Sequence, residues 1–298
     1  MAKEILKART STPAGAGRIF SLNTARVVAR PKLARFGLVI LGIFIVAAIF
    51  APLLSPKDPV KVNGSDSLEG PSSTYLLGAD RLGRDQLSRL IFGARISLII
   101  SFVGVGAGVV VGVAIGTIAG WAGKWTDEIL MRAMDALAAF PSLVLALALV
   151  ATLGGAVQNI IIVLAIVYTP GIARIVRSEV LSVRERDYIL ASVAHGADST
   201  RIIIRHLLPN SLAPVIVNAS LAFGSAIILE ASLSFLGVGV KPPTPTWGGM
   251  LRNAFEVVDR APMLTIVPGL AIFLVVLSFN FVGDALRDAL DPRLRNVI

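Results

Sequence analysis

Between Ile96 and Gly123 the chain reads ISLIISFVGVGAGVVVGVAIGTIAGWAG, 28 residues without one charged side chain. About 20 apolar residues carry a helix across a bilayer, so this stretch is a membrane span with residues to spare. Two more windows share the property, 38 residues from Ala136 to Ala173 and 23 from Ala261 to Gly283. The whole chain of 298 residues is 55% hydrophobic and only 16% charged, with a mean hydropathy of +0.78, whereas soluble domains carry about 25% charged residues. The composition therefore specifies an all-α, polytopic membrane protein.

Working outward from that stretch, Gly104, Gly108, Gly112, Gly116 and Gly120 recur at four-residue spacing, which lets a second helix approach closely. The 38-residue window is too long for one helix. Gly154-Gly155 and Gln158-Asn159 supply turn chemistry near its middle, so it divides into spans within 136–153 and 158–176. A first span covers Phe36 to Leu54, whose 19 residues exceed a secretory signal core of roughly 7–15. A fifth lies within Leu212 to Leu236, interrupted by Glu230, and a sixth runs from Met263 to Val282. The reading is six transmembrane helices. A basic tail (1–35) precedes the first of them, an external loop and interfacial elbow (55–95) follows it, a five-helix core (96–283) comes next, and a short tail (284–298) closes the chain.

The net charge of +9 belongs to this topology rather than to nucleic acid. Surfaces on the N-terminal side hold nineteen Lys/Arg: eight in the tail, two in 124–132, six from Arg174 to Arg205 and three after Gly283. The opposite side holds nine, six of them in the first external loop. The bias predicts both termini in the cytoplasm of a bacterial cell.

Several functions are absent from the pattern. The nearest glycine–lysine pair, Gly123-Lys124, has Ile118 at the first glycine position of a P-loop and Trp125 after the lysine, so the chain lacks that ATP site. With no cysteine and two histidines, thiol chemistry is excluded and a metal site is poorly supplied. No nucleophile elbow or zinc-protease helix occurs. No cofactor is expected in this chain.

The longest cytoplasmic connection, 174–211, is also the most patterned. Asp187 to Ala194 reads as a short amphipathic helix with Ile189, Leu190 and Val193 on one face, and Gly196 follows where a left-handed residue ends a helix. Asp198 is a plausible N-cap for a second helix carrying Ile202, Ile203, Ile204 and Leu207, with Pro209 predicted to stop it. Such an elbow serves either to dock a soluble partner or to rest on lipid headgroups.

Tyr188-Ile189-Leu190-Ala191-Ser192-Val193-Ala194-His195-Gly196, nine residues, then His206-Leu207-Leu208-Pro209-Asn210 resembles the coupling loop of bacterial ABC importer permeases. Leu190 and Ser192 stand where that family often has Glu and a second Ala. Further stretches resemble the second permease subunit of dipeptide, oligopeptide and nickel importers: 77–89, Phe140-Pro141-Ser142, 230–237, 242–248 and 283–295. The resemblance implies a type I importer permease, non-catalytic itself. Its implied partners are a homologous second permease, an extracytoplasmic substrate-binding protein, and two cytoplasmic ATPase subunits on which ATP and Mg would bind. It implies an ATPase-coupling role for Leu190, Ala191, Ser192, Gly196, Asp198, Arg201, Arg205, His206, Leu208 and Pro209. Peptide is the expected substrate, with nickel as the alternative. A free-standing channel or carrier is the rival from another class.

Glu230 lies well inside a span, where an ionised group must find a partner or a cavity. Either it ties helices together or, with Asn218 and Ser225, it belongs to the translocation pathway. Outside, Trp247 is read as an interfacial anchor or a contact for the binding protein. Arg84 is read as part of a salt-bridged elbow with Asp80 and Asp85, or as a similar contact.

Overall fold

The computed structural model describes residues 28, 29 and 31–290. The expected tails at 1–35 and 284–298 fall mostly outside these, as does the end of the 283–295 stretch. The described chain contains only helices and connections, with no strand among the described residues.

Helix α1 (Lys32–Ile49) and the short α2 (Ala51–Leu54) form the first span, leaving one side exposed along Val39, Ile43, Val46 and Leu53. A segment of turns follows, and Asp85 then caps α3 (Gln86–Ala122) by accepting from the Ser88 N–H at 2.7 Å. At 37 residues α3 is far longer than the predicted span. Arg89 and Arg95 therefore sit on its first three turns, as an approach to the membrane rather than a loop.

The glycine ladder packs α3 against α6 (Val157–Arg184). A Cβ on Gly104 would meet Leu164, one on Gly112 would meet Ile172, and one on Gly120 would meet Val180, each within 2.7–2.9 Å. The partner positions advance by eight residues for each eight on α3, so one small-residue row lies along the facing helix.

The expected third span differs from the prediction. Residues 124–132 are not a loop: α4 (Lys124–Ala138) is helical and meets α5 (Ser142–Leu153) at 91°. Pro141 holds an extended backbone at the start of α5 (φ −54°, ψ 133°) and cannot continue α4. The 12 residues of α5 reach about 18 Å, short of the roughly 30 Å hydrocarbon core. Five helices are long and apolar enough to cross a membrane, or six if this bent pair is one span.

After α6 come α7 (Asp187–Ala194), the single turn α8 (Ser199–Ile202), a π-turn over Ile203–Leu207, and α9 (Leu208–Phe235). Here the predicted stop at Pro209 is corrected. In the π-turn the Leu208 N–H reaches back five residues to the Ile203 carbonyl, and the widened turn admits the proline in the first turn of α9. The helical path continues to Phe235. Helix α10 (Trp247–Phe255) and the last span α11 (Met263–Leu290) complete the fold, and Pro170, Pro214 and Pro268 lie within helices.

Candidate functional site

The elbow that follows α6 is built as two short elements on a fixed base. The end of α7 closes through Gly196 N–H to Val193 O at 2.9 Å and Ala197 N–H to Ser192 O at 3.0 Å, with Gly196 at φ +77°. That is a left-handed helix terminus, where a side chain is strained. Asp198 then accepts from the Thr200 N–H at 3.0 Å and starts the next turn. Ile189, Ile202 and Leu207 are buried in one cluster with Ile172, Val176, Val180, Val183 and Val215, which fastens the elbow to the C-terminal half of α6 and the start of α9.

The apolar face of α7 is split, in contrast to the sequence expectation. Ile189 turns inward, while Leu190 and Val193 are 57% and 52% exposed, joined by Ile204 at 61%. Residues 189 and 190 are about 100° apart around a helix, so they cannot share one narrow stripe. Ala191, Arg201 and Arg205 are exposed, Ser192 bonds back to the Tyr188 carbonyl at 2.7 Å, and the rings of Tyr188 and His206 meet edge-on at 6.1 Å. Leu208 and Pro209 are half-buried behind this surface. The elbow thus presents exposed apolar side chains with a basic margin.

Within the span α9, Glu230 has no exposed surface. It accepts from Ser97 Oγ of α3 at 2.9 Å and from Ser234 Oγ at 2.8 Å, and Ser97 Oγ in turn receives the Trp247 N–H at 3.4 Å. Three elements meet at this carboxylate. Asn218 and Ser225 lie on another, exposed side of α9 with Leu221 and Ile228. The structure therefore does not bring Glu230 together with the two residues grouped with it by sequence. Ser225 instead accepts from the Tyr168 hydroxyl at 3.0 Å, and Asn218 donates to Pro214 O at 2.9 Å.

Neither residue proposed for outside contact offers a surface. Trp247 is fully buried, its ring nitrogen donating to Leu90 O at 3.1 Å and its ring edge-on to Phe44 at 5.5 Å. Gly93 makes room for it, since a Cβ there would lie 3.1 Å from its ring, and Gly248 lets α10 approach α9, since a Cβ there would strike the Ala231 backbone at 2.3 Å. The four prolines around it resemble a surface loop, which hides the burial from a local reading. Arg84 is buried too, with Nε on Asp80 Oδ2 at 2.7 Å, and Arg89 stands 3.5 Å from the same oxygen. The salt-bridged elbow is formed, although Asp85 caps α3 instead of joining an ion pair. Arg81, paired with Glu256 of the segment after α10, ties down the segment before α3. In that segment the Asp66 carboxyl is held below its ordinary range, chiefly by the Tyr75 hydroxyl that donates to it.

One feature was not anticipated. At the α4–α5 bend a cavity of about 300 Å³ opens between Leu137, Phe140, Leu145, Val167, Tyr168 and Arg174. Two acid–base pairs join α4 to α6 beside it: Arg177 donates to both Asp127 carboxylate oxygens from Nε and one terminal nitrogen, and Arg174 approaches Asp135 at 3.9 Å. The sequence signal is the spacing of Asp127 and Asp135, eight residues apart and so on one helical face, opposite arginines three apart.

With this geometry in place, comparison with known proteins identifies the family. Residues 112–296 match the binding-protein-dependent transport system inner membrane component, and residues 24–71 match the N-terminal TM domain of oligopeptide transport permease C. The chain is 47% identical to the dipeptide transport system permease protein DppC of Alkalihalophilus pseudofirmus, over 89% of this chain and 87% of that one. It is 44% identical to the di/tripeptide permease DppC of Pseudomonas aeruginosa over 90% of each chain. It is also 44% identical to the glutathione transport system permease protein GsiD of Escherichia coli, over 85% of this chain and 84% of that one. The fold is similar to the inward-facing MetNI methionine ABC transporter, with a TM-score of 0.56 and 22% identity over 68% of this chain and 96% of that one. The chain belongs to the family of inner-membrane permeases of binding-protein-dependent transport systems.

Proposed function

We propose that this permease forms half of the translocation pathway of an ATP-driven importer of dipeptides and short oligopeptides. It works with a homologous second permease, two cytoplasmic ATPases that hold ATP and magnesium, and an extracytoplasmic binding protein. Both termini are cytoplasmic. The observation that carries this reading is the elbow: an apolar surface of Leu190, Val193 and Ile204 stands exposed on a base fixed by Ile189, Ile202 and Leu207. Closure of the ATPases on ATP would draw two such elbows together. Because α8, the π-turn and α9 follow one another without a loop, movement of the elbow is passed directly into a membrane helix. The peptide substrate is supported by the names of the relatives at 44–47% identity, glutathione being itself a tripeptide. Nickel gains no support from those names.

The test is reconstitution of all subunits in vesicles, with ATP-dependent uptake of Ala-Ala as the measurement. ATP-dependent uptake is expected. A permease that purifies as a homo-oligomer without ATPases, or an assembled complex that imports no peptide, would overturn the reading. Gly196→Val, forced into a left-handed backbone that costs of order 1–2 kcal/mol even for unbranched residues, should assemble but lose about tenfold or more of stimulated ATPase activity and uptake. Gly196→Asn, which accepts that backbone more readily, should retain both.

A further inference from the structure

We infer that one row of α9, Asn218, Ser225 and Ser232, lines the peptide's route through the membrane and offers hydrogen-bond acceptors to the N–H groups of the passing chain. The inference rests on the peptide-import reading above and assigns residues to its route.

Within the span the outward positions of α9 fall into two rows. Asn218 and Ser225 are exposed and Ser232 is half-buried, while Leu221, Ile228 and Phe235 are exposed. Positions seven apart drift by only about 20° around a helix, so the polar residues form one line and the apolar ones another, about 60° away. Other spans differ: α3 turns Val103, Val110 and Ile118 outward, and α11 turns Ile266, Leu270 and Phe273. Those faces suit lipid. The polar row does not, because Asn218 donates one N–H to the Pro214 carbonyl at 2.9 Å and keeps a second N–H and its oxygen without a partner among the described residues. Hydrocarbon gives such groups nothing to bond.

A space beside the row supports the same conclusion. Ser225 accepts from the Tyr168 hydroxyl at 3.0 Å, and Tyr168 lines the cavity of about 300 Å³ at the α4–α5 bend. Arg174 stands on the wall of that cavity with its side chain 54% exposed, and a guanidinium is costly against hydrocarbon. The cavity and the row bordering it therefore belong to an aqueous interior. The direction of the hydroxyls then sets the chemistry. Ser225 and Ser232 donate to the Ala222 and Ile228 carbonyls of their own helix at 3.0 and 2.7 Å, so they turn lone pairs outward. With the Asn218 oxygen they suit the backbone N–H groups and the ammonium end of a peptide. Between Leu207 and Val240 Glu230 is the sole charged residue, and it is fully buried. A neutral row of this kind holds the peptide backbone without selecting the charge of its side chains.

The experiment uses the assembled transporter in lipid vesicles and the charged reagent 2-sulfonatoethyl methanethiosulfonate, with labelling read from the intact mass of this chain, which has no native cysteine. Only the thiolate reacts, and each pKa unit by which an apolar setting raises a thiol slows it about tenfold. Asn218→Cys, Ser225→Cys and Ser232→Cys should label at least about tenfold faster than the lipid-facing Val110→Cys and Phe273→Cys, and the labelled complexes should lose Ala-Ala uptake. Serine to cysteine changes one atom, so those two variants decide the outcome should Asn218→Cys not assemble. The double variant Ser225→Ala with Ser232→Ala should assemble normally yet import Ala-Ala about tenfold more slowly, and Thr at both positions, which keeps the acceptors, should restore uptake. Labelling no faster than the controls would mean that a partner helix or lipid covers the row and would overturn the inference. Fast labelling that leaves uptake intact, or full uptake by the double alanine variant, would overturn it as well. If the unmodified complex still imports Ala-Ala, any of these failures removes the assigned row alone, while a complex that imports no peptide removes the function itself.

Discussion

At Glu230 a carboxylate is enclosed completely, and its partners, Ser97, Ser234 and Thr246, are hydroxyls rather than a cation. An unpartnered buried charge is costly, so the value of this group lies in accepting from Ser97 and Ser234 where α3, α9 and the start of α10 converge. Glu230→Gln keeps an acceptor and the side-chain length, and should assemble and transport at close to normal levels. Glu230→Leu strips the acceptor and should cost on the order of 1–3 kcal/mol, read as a lower unfolding temperature and reduced yield of the purified complex. Normal assembly with transport abolished in Glu230→Gln would instead place the charge on the substrate's route. That an acid lay in a span was plain from the sequence, because no other charge interrupts residues 206–240. Which groups satisfied it was not, since Ser97 is 133 residues away and nothing local marks it. The same distance concealed Trp247, whose seat is made by Gly93, Phe44 and Leu90.

At the scale of helices, the α3–α6 pair shows how a spacing becomes a contact. Around Gly116 a Cβ would lie 2.4 Å from the Ala173 carbonyl oxygen and 3.0 Å from the Arg177 nitrogen. Both are backbone atoms, which cannot swing aside as a side chain can. Gly116→Ala must therefore part the helices, and overpacking of this kind costs about 1–3 kcal/mol. Gly106, on the same helix but outside the ladder, has open space where its Cβ would be. Gly106→Ala should leave thermal stability of the purified complex unchanged or slightly raised, since alanine is the better helix former, whereas Gly116→Ala should lower it clearly. Equal behaviour of the two variants would deny the ladder its role. The ladder was legible because a repeat of four residues is itself the packing rule. The 91° bend of α4 against α5 was not, because an uncharged window records apolarity but not direction. There Pro141 marked a break without fixing its angle, and the Arg177–Asp127 pair that fastens α4 to α6 is a contact between segments 50 residues apart.

Taken as a whole, the molecule explains the one imperfection in its charge distribution. Of the nine basic residues assigned to the side opposite the N-terminus, six lie in the segment before α3 or on its first three turns, against the usual cytoplasmic bias. Three of them are neutralised in the fold: Arg81 by Glu256, and Arg84 with Arg89 by Asp80. Those pairs also fasten the long segment before α3 to the outer end of the helices, so the basic residues there act as fasteners and not as free topological signals. The remaining excess on the N-terminal side predicts an orientation with the elbow inside and the 55–85 segment outside. No cysteine occurs in the sequence, so single replacements report position without a background. Ser199 at the elbow and Ser73 in the external segment are both exposed, which makes accessibility equal and leaves the membrane as the only difference between them. On intact cells whose outer barrier has been permeabilised, a membrane-impermeant maleimide should label Ser73→Cys and spare Ser199→Cys. After disruption of the inner membrane both should react. Labelling of Ser199→Cys alone in the intact state would invert the molecule, place the elbow out of reach of any cytoplasmic ATPase, and leave the nineteen-to-nine charge bias without a physical reason.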